Sequence, residues 1–371
     1  MKLKLSAMQW QQVQKFATDS LGLSSISKAD CDLSEYIPYY NKWIENNYHA
    51  DLEYMVKHGS KRFVPNELVP GTNSVIVATL NYLNRPIAIK NEVKRLKSST
   101  DIAEISIYAH GRDYHKVMKK KLQRLAEYIN ELTGDHQFRV FTDSAPVLER
   151  PLAEKAGLGW QGKSSMLMNK IQGSFFFIGV IYSNLDLSDL PTLPKHQDSC
   201  GKCQACIKLC PTGAIQHGKM IDSRKCISYL TIENKGSIPL ELRDKIGTRI
   251  YGCDDCQLVC PFNNNAPITT EKDFQQRDFL INKPLLELFS WTRKDFDKYT
   301  QGSAIRRIGY DAWIRNIAIG IGNSPYKPEN ILSLENKKNE FLDKEIVLEH
   351  IKWALNKQIN LSNDCDLMPV C

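Results

Sequence analysis

Cys200-Gly-Lys-Cys203-Gln-Ala-Cys206-Ile-Lys-Leu-Cys210-Pro211 is the stretch that decides how this chain is read. A lone Cys226 follows, and then Cys253-Asp-Asp-Cys256-Gln-Leu-Val-Cys260-Pro261. Together they hold eight of the chain's eleven cysteines. In C-x2-C-x2-C-x3-C-P spacing, three thiolates from one tight loop take three corners of a cubane, and the fourth ligates the other cluster. The second run is one cysteine short, and Cys226 fills the vacancy. The expected partition is Cys200, Cys203, Cys206 and Cys260 on one [4Fe-4S] cluster, and Cys210, Cys226, Cys253 and Cys256 on the other. Such a module moves electrons singly, which points to reduction or oxidation.

Zinc sites also use C-x2-C pairs. They do not usually add a cysteine three residues on and then a proline, twice. Disulfides need an oxidising compartment. The opening MKLKLSAMQW has no apolar core after its lysines and no twin arginine, so no export signal is read and a cytoplasmic protein is expected. Cys31, Cys365 and Cys371 fall outside the pattern and read as one buried thiol and two tail thiols.

A chain of 371 residues is too long for one ordinary domain. Its 42% hydrophobic and 25% charged residues are those of a globular protein, and its most apolar run, Phe175–Tyr182, suits a buried strand rather than a membrane span. The fold class is α+β. Residues 1–195 read as a mixed α/β domain, with strands at Val75–Leu80, Phe138–Phe141 and Phe175–Tyr182. Helices are expected through Trp10–Ala17, across residues 35–58, through Met118–Ile129 and over Leu152–Ala156, the last stopped by Gly157. Pro191 and Pro194 mark a linker into the cluster module, residues 196–265. Residues 266–371 read as helical, with Ile305–Ile321 and Ile346–Leu355 resembling paired helices of a HEAT-type repeat. The formal charge is +7, with basic residues gathered in Lys116–Arg124 and at Arg306, Arg307 and Arg315. A charge run is ordinarily a solvated helix face.

Two motifs mislead. Gly157-Leu-Gly-Trp-Gln-Gly162-Lys163-Ser164 satisfies both G-x-G-x-x-G and G-x-x-x-x-G-K-S. Both patterns need a strand before the loop and a helix after it. Here a helix precedes and an extended segment, Ser165–Met168, follows, so neither nucleotide site is read. What remains is a glycine-rich turn whose backbone a flat or polar ligand can approach closely. Asp113-Tyr-His115-Lys-Val-Met118 comes near a corrinoid-ligating D-x-H-x-x-G pattern but lacks the glycine. His115 is therefore expected to be an ordinary helix-surface histidine.

Thr142-Asp-Ser-Ala-Pro-Val-Leu-Glu-Arg-Pro-Leu-Ala-Glu-Lys-Ala-Gly-Leu-Gly-Trp-Gln-Gly-Lys163 closely resembles the epoxyqueuosine reductase family. So does Cys226-Ile-Ser-Tyr-Leu-Thr-Ile-Glu-Asn-Lys-Gly-Ser-Ile-Pro239, with weaker support from Lys61-Arg-Phe-Val-Pro65 and Gly111-Arg-Asp-Tyr-His115. The resemblance covers nearly the whole chain. It implies a nitroreductase-like cobalamin-binding N-terminal domain, a ferredoxin-like two-cluster domain, and C-terminal helices that help to hold tRNA. The implied activity is reduction of epoxyqueuosine to queuosine at the tRNA wobble position, with cobalamin reduced through the two clusters by an external electron donor. The tail is shorter than in larger members of the family.

The resemblance makes Asp143, at the end of the Phe138–Phe141 strand, the proton donor to the departing oxygen. Read without it, Asp143 is a cap of the following helix. It further implies that Arg62, His110, Asp143, Lys163, Ser164, Leu167, Ser228, Cys253 and Asp254 lie at the cobalamin. Lys235 lies at the tRNA, and Arg306, Arg307 and Arg315 become tRNA contacts, since guanidinium groups hold phosphates and stack on splayed bases. A monomer without membrane attachment is expected. The competing readings are a reductive dehalogenase-like corrinoid enzyme, which expects an export signal and a tyrosine donor, and a ferredoxin-type electron carrier, which expects no corrinoid.

Overall fold

The computed structural model describes residues 3–98, 100–280 and 282–367, without the side chains of 364–367. The side chain of Cys365 and the whole of Cys371 lie outside the described residues.

Four strands, β1 (Ser25–Ala29), β2 (Ser74–Asn81), β3 (Phe138–Phe141) and β4 (Phe176–Ser183), form one antiparallel sheet in the order β1-β2-β4-β3. Val77 of β2 faces Val180 of β4, and Phe141 of β3 faces that same Val180 from the other side. The apolar run expected as a central strand is therefore the second strand in from one edge, covered on both faces. Alternation along β2 divides its side chains. Ile76, Ala78 and Leu80 enter one core, and Val75 and Val77 enter the other.

The first core is closed by α1 (Ala7–Lys15) and α2 (Tyr114–Thr133). Helix α1 starts at a capping box between Ser6 and Gln9, which satisfies two otherwise orphaned N–H groups. Helix α2 starts at Asp113, whose carboxylate accepts the His115 N–H, and stops at Gly134 in the left-handed region. Met118, Leu122, Leu125 and Ile129 repeat along its buried face. The second core is closed by α3 (Glu149–Lys155), which buries Pro151, Leu152 and Ala153. The helix expected across residues 35–58 is broken: Ile37–Glu45 and Glu53–Val56 are helical, separated by a turn in which Asn47 and Ala50 take positive φ.

The cluster module has a small apolar core around α4 (Ile227–Ile232), with Ile238, Leu242 and Ile246. The C-terminal part packs α5 (Gly309–Asn323), α6 (Pro328–Glu340) and α7 (Glu345–Leu367) together, with α7 against both others. Their core also takes in Ala109, Ile250 and Tyr251, so all three stretches of chain share one interior. None of the described helices is long and apolar enough to cross a membrane.

Candidate active site

The two cysteine runs fold as tight turns, each leading into or out of a short helix, Ala205–Leu209 and Asp255–Leu258. No disulfide joins the described cysteines. No three His, Cys, Asp or Glu side chains among the described residues converge on a single-ion site, and what relates the sulfurs is mutual charge. Burial, and then the charges of Cys206, Cys200 and Cys203, push the Cys260 thiol up to about 11. Burial, and then Cys226 among its nearest charged neighbours, push Cys256 far above the usual thiol range, with Cys206 and Cys210 adding to it. Cys253 is raised by burial and by Asp255, with Cys256 contributing. These neighbours fall into the two expected sets, with Cys206 also felt across them. Thiols so crowded and buried are costly as free thiolates, and binding iron removes that cost. The donor set therefore fits two clusters. Cys31, expected to be buried, is half-buried, its thiol pushed up to about 11 by burial and by Asp30.

A Cβ on Gly157 would meet the Leu193 carbonyl oxygen at 2.6 Å, one on Gly159 the Met168 oxygen at 2.3 Å, and one on Gly162 the Met168 side chain at 2.6 Å. These glycines let the turn pack closely against its own chain. Lys163 then reaches out from it, donating to the carbonyls of Gly201 at 2.7 Å and Cys203 at 2.8 Å. It ties the N-terminal domain to the first cluster loop.

Asp143 follows β3 by two residues. The Thr142 hydroxyl donates to the Ile178 carbonyl of β4 at 2.9 Å, anchoring the strand end, and Asp143 takes φ +51° immediately after it. Its side chain is 70% exposed. It is not a helix cap: α3 begins after Leu148, which makes no side-chain cap. Three groups hold Asp143 instead. Its N–H donates to Glu149 Oε1 at 2.9 Å. The Tyr114 hydroxyl donates to Oδ2. His115 Nε2 stands 3.7 Å from the same oxygen. Burial and the Asp143 charge push the Glu149 carboxyl up to about 8.

His115 is thus no ordinary surface residue. It is 8% exposed, its Nδ1 is 2.8 Å from Asp113 Oδ1, and its ring lies 4.0 Å from that of Tyr114. The signal was present in Gly111–His115: a helix cap at Asp113 places the next two side chains on the first turn of α2, beneath the end of β3.

Tyr54, Val56 and Val64 are exposed. Tyr54 is pushed up to about 12 by the partial burial of its hydroxyl and by the charges of Glu233 and Asp143. Arg307 donates to Asp113 Oδ2 at 3.0 Å. Groups from all three parts of the chain thus come near the Asp143 loop.

The other predicted residues are distributed around this place. Arg62 is buried, donating to the carbonyls of Met55 at 3.0 Å and Tyr54. Ser164 and Leu167 are nearly buried at the glycine turn, and Ser228 is half-buried on α4. Asp254 accepts the Ile107 N–H at 2.7 Å and the Ser106 hydroxyl, and burial pushes it up to about 6. His110 is turned onto the Ile105 carbonyl at 2.9 Å, and burial lowers it to about 4. Lys235 and Arg306 are exposed. Arg315 is not a surface residue. It is 2% exposed, donating to the carbonyls of Asn234 at 2.8 Å, Gly236 at 2.9 Å and Leu230 at 3.0 Å, and so cannot reach a nucleic acid.

Comparison with known proteins agrees with this architecture. A sequence model described as "4Fe-4S double cluster binding domain" matches residues 199–263, and one described as "Epoxyqueuosine reductase QueG, DUF1730" matches residues 62–144. An epoxyqueuosine reductase of Francisella cf. novicida (strain Fx1) is 84% identical over 362 residues, 98% of this chain and 100% of that one. The structure of epoxyqueuosine reductase from Streptococcus thermophilus superposes with a TM-score of 0.82 at 25% identity, covering 95% of this chain and 90% of that chain. A further epoxyqueuosine reductase, crystallised with an epoxyqueuosine-modified tRNA-Tyr stem loop, superposes with a TM-score of 0.78 at 22% identity, covering 95% and 100%.

A double-cluster domain in a chain this similar to curated reductases defines an iron–sulfur oxidoreductase. The chain belongs to the epoxyqueuosine reductase family. That identity over nearly the whole chain sets aside the carrier and dehalogenase-like alternatives, and the family is cobalamin-dependent.

Proposed function

We propose that this protein reduces epoxyqueuosine in tRNA to queuosine with Asp143 as the acid that protonates the departing oxygen. The observation that carries the assignment is the 70% exposed Asp143 carboxylate at the junction of all three parts of the chain, held by Tyr114 and Glu149. The net change breaks two C–O bonds, forms a C=C bond and releases water, consuming two electrons and two protons. The clusters pass on the electrons one at a time from an external low-potential donor.

Cobalamin would rest near Asp143 against the exposed Tyr54, Val56 and Val64, with Arg62 supporting the Tyr54–Met55 backbone. Lys163, Ser164 and Leu167 would hold one side of it, and Ser228, Cys253 and Asp254 the side toward the clusters, with His110 behind. Bound there, it supplies the strong nucleophile that epoxide opening requires. A carboxylic acid donates near neutral pH when it is desolvated. Asp143 is open to solvent in the free protein, so the wobble nucleoside that covers it supplies the burial. Lys235, Arg306 and Arg307 are placed to hold tRNA phosphates.

The test is anaerobic reconstitution with iron, sulfide and cobalamin, a metal count, and mass spectrometry of nucleosides from epoxyqueuosine-containing tRNA. The expected result is about eight irons and one cobalt per chain, with queuosine formed. Iron without cobalt, or cobalt without queuosine, overturns the proposal.

A further inference from the structure

Removing the oxygen as water takes two protons, and one carboxyl carries one. Asp143 must therefore be reloaded within each turnover. Once a nucleoside covers it, bulk water no longer reaches its open face. The remaining route is from behind, through the groups that contact Asp143 inside the protein.

We infer that His115 is the group that reloads Asp143, resting on the function proposed above. Its ring is fixed through Nδ1. Nδ1 lies 2.8 Å from Asp113 Oδ1, which also accepts the His115 backbone N–H at 3.1 Å, and Nε2 faces Asp143 Oδ2 at 3.7 Å. Arg307 holds the second oxygen of Asp113 at 3.0 Å. The result is a chain running Arg307, Asp113, His115, Asp143, the acid–imidazole–acid order in which a buried carboxylate orients an imidazole and stabilises its charged form.

With Nδ1–H committed to Asp113 and the Tyr114 hydroxyl donating to Oδ2, the pair takes up two protons before the nucleoside enters, one on Nε2 and one on Asp143 Oδ1. Asp143 gives its own proton to the departing oxygen. Nε2 then passes the second to Oδ2, which is the reloading step, and solvent restores both when the product leaves. Asp113 is suited to its part. Burial draws its carboxyl upward, but the hydrogen bonds from His115 and Arg307 outweigh burial and hold it well below the usual carboxylate range. It stays ionised and keeps none of the protons passed along. The groups facing the ring are Asp113 and Tyr114 from its own helix and Asp143 from the loop after β3. Arg307 and Tyr251 act on it through Asp113, and Glu149 acts through Asp143. The 3.7 Å gap is an ion-pair separation, closed by a small turn of the Asp143 side chain.

In the reconstituted holoenzyme, His115→Gln should lower kcat on the order of 100-fold, the ordinary value of one general acid, while the KM for tRNA and the iron and cobalt content hold. Added imidazole should restore turnover to His115→Gly and not to Asp143→Asn. Unchanged kcat in His115→Gln, or a loss that follows tRNA affinity or metal content without imidazole rescue, overturns the inference. The functional proposal is separate: it fails if the wild-type protein forms no queuosine.

Discussion

The backbone N–H of Asp143 donates to Glu149 Oε1 at 2.9 Å, so the loop that presents the open carboxylate is pinned to the first residue of α3. The pin matters because Asp143 sits at φ +51°, a region costly for a residue with a side chain. Glu149→Ala removes the acceptor and should lower kcat by roughly fivefold with metal content unchanged, the effect expected when one hydrogen bond of about 1 kcal/mol is removed. Glu149→Gln keeps an acceptor oxygen and should stay near wild type.

Glu149 also predicts a pH dependence of stability. Its folded carboxyl is raised from 4.5 to about 8, by burial first and then by the Asp143 charge. The folded protein therefore holds this proton more tightly than the unfolded chain does. The stability it contributes is fully present below pH 4.5 and is lost as pH rises through about 8. Thermal melts across that window should show Tm falling more steeply in the wild type than in Glu149→Gln. Parallel curves would mean that the carboxyl ionises in place.

Asp143→Asn keeps the shape of the side chain and its contact with Tyr114 while removing the acid. Turnover should fall by about 10²–10⁴-fold, with clusters, cobalamin and tRNA affinity retained. Epoxyqueuosine consumption at the wild-type rate would transfer the acid's role to Tyr114, whose hydroxyl is the nearest alternative donor. Tyr114 is poorly suited to it, since burial and the Asp143 charge raise the phenol far above its ordinary range.

The cysteine partition has its own test. Cys226→Ala removes a ligand from the set of Cys210, Cys253 and Cys256, and Cys260→Ala one from the set of Cys200, Cys203 and Cys206. Each variant should retain about four of about eight irons, and the two should differ in their EPR spectra because different clusters survive. The same surviving spectrum in both would show that the partition is wrong.

Legibility in the sequence followed the range of the forces involved. The double-cluster module was readable because the spacing within each cysteine run is set by a few residues of chain. The strands Val75–Leu80 and Phe175–Tyr182 were readable because burial on both faces leaves a nearly unbroken apolar run, and Phe138–Phe141, at the sheet edge, because its large apolar side chains flank an exposed Arg139. What escaped were tertiary substitutions of partner. Arg315 looked like a phosphate contact because its charge is visible in sequence, while the carbonyls of Leu230, Asn234 and Gly236 that bury it are about eighty positions away. His115 looked like surface because α2 is basic and amphipathic, yet its first turn slides beneath the end of β3. Glu149 carried no signal, since its importance comes from a single backbone N–H six residues back.

The correction at Arg315 separates two kinds of arginine by experiment. Arg315→Met leaves three carbonyls without donors inside the protein, at a cost on the order of 2–4 kcal/mol, and should lower Tm at matched cluster content. Burial already lowers the guanidinium to about 10, and its partners are neutral: the three carbonyls and the Asn316 side-chain oxygen, to which it donates at 3.0 and 3.1 Å. Arg306 and Lys235 are exposed, and Arg306 is paired only with the equally exposed Asp297 at 3.3 Å. Arg306→Ala and Lys235→Ala should leave Tm within error and weaken tRNA binding. Each should also flatten the dependence of log affinity on log salt by about one unit, as expected when one phosphate is no longer neutralised by the protein. Arg315→Met, where it remains folded, should keep the wild-type salt slope, because a side chain enclosed by protein releases no counterion from RNA. A slope reduced in Arg315→Met would require the loop at Asn234–Gly236 to open on binding and deliver that guanidinium to the phosphates.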